Sequence, residues 1–253
     1  MPSKYQQIVD LAEETSRQIT SDTGRYMAFL TTAAHNFKYS FRDQLLIFAQ
    51  NPTATACAEI KFWNSRGRWV NQGTKGIALL VDTNTPYKLR YVFDMSDTNS
   101  RAGRTVPVWQ MAPQYEAAVM ESLENSYGLS GEVVNLPSCL LETANLLAED
   151  NAADYLLQLT EVKTGSLLED LDALNTEVWL KETMKSSIAF MILTRCGYDP
   201  RAYFGPEDFS RAYDFNTPET LSVLGAAVSD VAEMALREIA ATVFSLQRQE
   251  RQN

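Results

Sequence analysis

The apolar positions of the chain fall first into helical periods. Residues 4–20 place Tyr5, Ile8, Leu11, Ala12 and Ile19 between polar neighbours at helical spacing, and residues 24–37 continue with Tyr26, Phe29, Leu30 and Ala33. Ser40 reads as an N-cap, with Asp43 three residues later completing a capping box. The helix behind it carries Phe41, Leu45, Phe48 and Ala49 on one face and ends at Asn51-Pro52. A short helix over Glu59–Ser65 stops at Gly67. The pattern then changes to a β period. Arg68-Trp69-Val70 leads into a glycine-flanked turn over 71–76, followed by strands at Ile77–Val81 and Leu89–Phe93 and a polar loop from Ser96 to Gly103.

Beyond residue 110 only helical periods remain. They cover 114–127, Leu140–Leu159, about Val178 to Cys196, and a last helix started by Thr217-Pro218. That helix presents Leu224, Ala227, Val228, Val231, Ala235 and Ile239 as a core stripe and runs to a polar tail at Gln247–Asn253. The expected fold class is α+β: a small antiparallel sheet with helices in the N-terminal half, and a mostly helical C-terminal half. Two regions are expected, residues 1–110 and residues 111–253.

Charge sharpens that division. The net charge of −10 argues against nucleic acid, but residues 1–110 hold 13 Lys+Arg against 9 Asp+Glu, a net of +4, and residues 111–253 a net of −14. No apolar run approaches the roughly 18 residues needed to cross a bilayer. The start, Met1-Pro2-Ser3-Lys4-Tyr5, lacks the apolar segment of a signal peptide, so the expected location is the cytoplasm with no membrane partner. Cys57, Cys139 and Cys196 are far apart, with no CxxC pair, and read as three reduced thiols.

The segment with chemistry in it is Tyr39 to Gly76. Arg42, Lys61, Arg66, Arg68 and Lys75 stand there against only Asp43 and Glu59, interleaved with Tyr39, Phe41, Phe62, Trp63 and Trp69. Cations neutralise phosphates, and exposed aromatic faces stack on unpaired bases. A half-buried aromatic cluster with a solvated basic rim has the same composition.

Four ordered blocks, YSFRDQLLI (Tyr39–Ile47), FWNSRGRWV (Phe62–Val70), GTKGIALL (Gly73–Leu80) and YVFDMSDT (Tyr91–Thr98), resemble the N-terminal single-stranded-DNA-binding domain of ArdC-type antirestriction proteins over roughly the first 110 residues. The resemblance implies a sequence-independent single-strand binder of a bacterial mobile genetic element, linked to antirestriction or conjugative transfer. It implies DNA contacts at Arg42, Lys61, Trp63, Arg66, Arg68, Trp69 and Lys75. By position, Trp63 near the basic pair is expected to be partly exposed, Trp69 ahead of a strand reads equally as core, and YVFDMSDT reads as structural, with Tyr91 and Phe93 on one strand face. The chain departs from the family at Asp43, where Asn is usual, at Phe62, where Gln is usual, and in the turn 72–76, which has one cation fewer. Fewer cations mean weaker, less salt-sensitive binding.

ArdC-type proteins continue into a zinc metalloprotease-like domain, which needs HExxH. His35 is the sole histidine, so that motif is impossible here. The stretch Ser186–Phe204 resembles the scaffold helix of the third zinc ligand, with Ser186 where the family has Glu. By this resemblance the second half is a degenerate, non-catalytic scaffold. No P-loop, GxSxG or Cys–His pair is present either, so no enzyme activity, metal or cofactor is expected. The expected partner is single-stranded DNA. The alternative is a module that binds a protein through its acidic half, as a DNA mimic or a pseudo-protease.

Overall fold

A computed structural model describes residues 2–81, 87–100, 108–129 and 133–252. Three helices open the chain: α1 (Lys4–Ile19), α2 (Thr23–His35) and α3 (Phe41–Gln50). Then come β1 (Cys57–Ala58), α4 (Ile60–Ser65), β2 (Trp69–Val70), β3 (Ile77–Leu80), β4 (Leu89–Asp94) and β5 (Thr98–Asn99). Four longer helices follow: α5 (Pro113–Tyr127), α6 (Leu136–Val162), α7 (Ala173–Arg195) and α8 (Pro218–Glu250). The sheet is antiparallel in the order β1-β4-β3, with Ile77 opposite Val92 and Leu80 opposite Leu89; β2 and β5 form a separate antiparallel pair. The α+β expectation is met.

Local chemistry sets the helix ends. Ser40 Oγ accepts the Asp43 N–H at the start of α3, and the Asp43 carboxylate takes the Arg90 guanidinium at 2.5 Å. Thr217 and Thr220 form a reciprocal cap ahead of α8, with Pro218 at the first helical position as expected. Asn135 and Ser138 do the same for α6, which begins four residues before the expected Leu140. The polar loop expected over 96–103 holds a 3-10 turn at Met95–Asp97 and strand β5; its part beyond Ser100 lies outside the described residues.

Packing does not follow the order of the chain. α3 is buried on two sides. Leu46 and Ile47 join Ile8, Ile77, Leu79 and Val92 in a small core between α1 and the sheet. Phe41, Leu45 and Phe48 join α2 and the four long helices in the main core. Each such side chain contributes about 1.5–3 kcal/mol by leaving water. The division at residue 110 is therefore crossed by one continuous core: α2 and α3 belong to the helical layer by packing and to the sheet unit by sequence.

Two buried polar pairs fix this joint. Gln44 Nε2 on α3 donates to Ser229 Oγ on α8 at 2.9 Å, and Tyr26 Oη on α2 lies 3.0 Å from Ser187 Oγ on α7. Gly225 completes it, because a Cβ there would sit 2.2 Å from the Phe41 ring, so α3 reaches α8 only where that side chain is missing.

Candidate nucleic-acid interface

The unit built from α4 and β2 gathers the aromatic and basic residues. Trp63 anchors it: the side chain is 1% exposed and its Nε1–H donates to the Phe93 carbonyl at 2.9 Å. This corrects the expectation of a partly exposed stacking residue, since the indole finds both an apolar seat and an acceptor beneath α4. With Trp63 facing inward, Lys61, Phe62 and Arg66 are exposed. The Arg66 guanidinium lies 5.4 Å from the centre of the Phe62 ring. Gly67, at φ 70°, then reverses the chain, and the Arg68 N–H donates to the Trp63 carbonyl at 3.0 Å.

Strand alternation sends Arg68 and Trp69 to opposite sides. Arg68 turns inward: Nε donates to Thr98 Oγ1 at 2.7 Å and Nη2 to the Thr98 carbonyl at 2.9 Å. Its guanidinium holds β5, so Arg68 is half-buried and engaged within the protein rather than exposed like Lys61 and Arg66. Trp69 turns outward and is 49% exposed. Beside it lies a shallow depression of about 370 Å³ lined by Val70, Asn71, Gln72 and Asn99, so the indole face stands next to three side-chain amides.

Of the seven expected contacts, Lys61, Arg66 and Trp69 are thus brought together on one small unit. Arg42, on the first turn of α3, and Lys75, in the turn before β3, are exposed on separate segments. Two further aromatic residues are exposed. Phe62, which composition shows only as one of a cluster, is 41% exposed; Tyr91, in the block expected to be structural, is 38% exposed, with Lys4 Nζ 5.0 Å above its ring. Helical spacing relative to Trp63 could have found the first. Nothing local announces the second, because Lys4 is far away in sequence. Gly76 keeps this side of the sheet close, as a Cβ there would meet the Phe93 ring at 2.9 Å.

Asp94, the acid of the YVFDMSDT block, is structural. Its buried carboxylate accepts the N–H groups of Thr55, Ala56 and Ser96 and the Ser96 hydroxyl. Arg90 is also occupied, by Asp43 and, at 3.9 Å, Glu59.

Burial raises all three thiols, Cys139 to about 11, Cys196 to about 12 and Cys57 further, so each is protonated at neutral pH. Among the described residues no three His, Cys, Asp or Glu side chains converge to hold a metal. Ser186 is half-buried on α7. No helix among the described residues is long and apolar enough to cross a membrane. No family model, curated protein or solved structure matches this chain.

Proposed function

We propose that the chain binds single-stranded DNA without regard to sequence and without catalysis, through the outer surface of α4 and β2. The observation that carries this reading is the exposure of Phe62 and Trp69 beside Lys61 and Arg66. Bases of any identity stack on such rings, and the cations take phosphates. Duplex DNA keeps its bases stacked on one another, so it cannot use the aromatic half of the surface. The resemblance to the ArdC-type domain supports the same reading and suggests a bacterial, cytoplasmic role in protecting DNA during transfer of a mobile element. Residues 111–253 then serve as a scaffold rather than a second active domain.

The test is fluorescence anisotropy with a labelled strand of ~30 nucleotides and its duplex at two salt concentrations. The expected result is single-strand preference that weakens as salt rises, and a shallower salt dependence for Lys61→Glu/Arg66→Glu. Equal affinity of wild type and double variant, or no binding at low salt, rejects the proposal.

A further inference from the structure

Where the sheet unit meets the helical layer, two cavities of about 310 and 460 Å³ adjoin, both lined by His35, Thr55, Val108, Trp109 and Arg195. Arg195 ends α7 and is 8% exposed, with no carboxylate partner among the described residues. Its Nη2 donates to the Trp109 carbonyl at 2.9 Å, and its guanidinium carbon lies 3.6 Å from the centre of the Trp109 ring. A guanidinium has five N–H donors. That carbonyl is the only acceptor Arg195 meets among the described residues. Trp109 is 3% exposed, and its Nε1 has no acceptor at all among them.

The acids that act on His35 and Lys38 are engaged elsewhere. Asp94 is saturated by Thr55, Ala56 and Ser96, and Glu233, which faces Lys38, is held by Arg237 at 2.6 Å. Burial without a counter-charge pushes the Arg195 guanidinium down to about 10. Buried donors and cations in proteins are normally partnered, and an unpaired one is costly. Here a buried cation without a counter-charge lines both cavities, stacked on an indole whose own N–H is buried without an acceptor.

The rest of the lining narrows the ligand. Lys38 adds a second cation to the smaller cavity, and Phe37, Phe62 and Phe244 add aromatic walls. A phosphate monoester carries a charge of about −1.5 to −2 at pH 7, which suits two cations better than a single carboxylate would. Aromatic walls suit a base. Volumes of this size fall in the range of small-molecule sites.

We propose that this cleft binds the phosphate monoester of a nucleotide, with the phosphate among His35, Lys38 and Arg195 and the base against Phe37, Phe62 and Phe244. The nucleotide is either the phosphorylated end of a DNA strand or a free mononucleotide. Phe62 belongs both to this wall and to the exposed face of α4, so a strand crossing α4 has a short path into the cleft. The inference goes beyond the proposed single-strand surface and does not need it.

Isothermal titration calorimetry with deoxythymidine 5′-monophosphate, thymidine and inorganic phosphate tests it. Binding of the nucleotide about tenfold or more tighter than either fragment is expected, as both halves of the site must be filled. Lys38 is exposed, so Lys38→Gln keeps the melting temperature and should weaken nucleotide binding about tenfold by removing one charge-assisted contact. No heat at millimolar nucleotide, equal binding of thymidine, or an unchanged Lys38→Gln titration overturns the proposal. Oligonucleotides with a 5′-phosphate, a 3′-phosphate or neither then separate the sources. A gain from one phosphorylated end assigns the strand terminus, and no gain assigns the free nucleotide. The unphosphorylated strand reports separately on the α4–β2 surface.

Discussion

The sheet unit and the helical layer treat cations and aromatic rings in opposite ways. In the helical layer, Lys181 is bridged to Glu149 and Glu177, Arg211 to Glu182 and Arg237 to Glu233. In the sheet unit, Lys61, Arg66 and Lys75 are exposed and have no carboxylate partner among the described residues. Phe190, Phe209 and Phe215 are sealed in the main core, while Phe62 and Trp69 stand in water. These three cations are neutralised by acids of the same layer, whereas Arg195 at the end of α7 is not. The sheet unit engages Arg68 and Arg90 internally but leaves Lys61, Arg66 and Lys75 exposed to an external anion, and exposes rings where its own core already has Trp63. The proposed DNA-binding surface rests on that contrast rather than on the overall net charge.

The largest expected effect breaks the contrast from the helical side. Phe209 packs edge-on against Phe190 at 5.5 Å between ring centres and also contacts Tyr26 and Phe204. Phe209→Ala should cost about 3–5 kcal/mol, because the cavity left by a buried ring cannot fully collapse. Urea unfolding measures it. The strand affinity of the remaining folded protein should be unchanged, and a loss there would mean that the helical layer shares the binding surface.

Much of this architecture is legible in the sequence, and the failures have local causes. The Thr217-Pro218 start and the stripe from Leu224 to Ile239 are read correctly, because one face of a long helix is buried and the other is wet. The start of α7 at Ala173 is missed, because its first two turns bury only Thr176 and Leu180 and so present little apolar period. Strands β1 and β5 are two residues long and have no alternation to detect. Their places come from distant groups, Asp94 for the turn before β1 and Arg68 for β5. Within the candidate surface, composition identifies the right segment but not the orientation of each side chain. Trp63 and Trp69 look alike in sequence and end on opposite sides of the same unit. The Arg195–Trp109 pair spans 86 residues, and its only local signal is a lone cation after an apolar helical run.

An expected effect of intermediate size sharpens the contrast from the sheet side. Trp69→Ala should lower single-strand affinity by about 1–3 kcal/mol, the loss of one stacked base. Thermal stability should change by less than about 0.5 kcal/mol, since the ring is half exposed. Melting and anisotropy on the same preparation separate the two. A large stability loss with unchanged affinity would turn Trp69 into a packing residue and leave Phe62 as the sole platform.

A comparable effect is expected at the joint. Gly225→Ala drives a methyl into the Phe41 ring, with a closest approach of 2.2 Å. Overpacking of this kind costs about 1–3 kcal/mol. α3 carries both Phe41 and Arg42, so the displacement is also transmitted to the sheet unit. A fall in melting temperature with a parallel loss of strand affinity would show that the two regions are coupled through α3. A fall in melting temperature alone would show that the α4–β2 surface keeps its geometry independently.

The smallest effect concerns His35, at the boundary between the regions. Burial, reinforced by the Arg195 guanidinium, holds its imidazole below the ordinary 6.5. The unfolded chain therefore takes up a proton on His35 at a higher pH than the folded chain does. Between the two values the unfolded state binds more protons, so stability rises with pH there. The contribution is fully present above about pH 6.5 and is lost as pH falls toward the folded value. Melting curves should decline through this window for wild type and decline less for His35→Gln, which cannot protonate. Phosphate or a nucleotide seated beside Arg195 would favour the imidazolium and reduce the same slope. The pH dependence measured with and without deoxythymidine 5′-monophosphate therefore ties the stability of the joint to occupancy of the cleft. An identical slope in both conditions would place His35 outside the anion's reach.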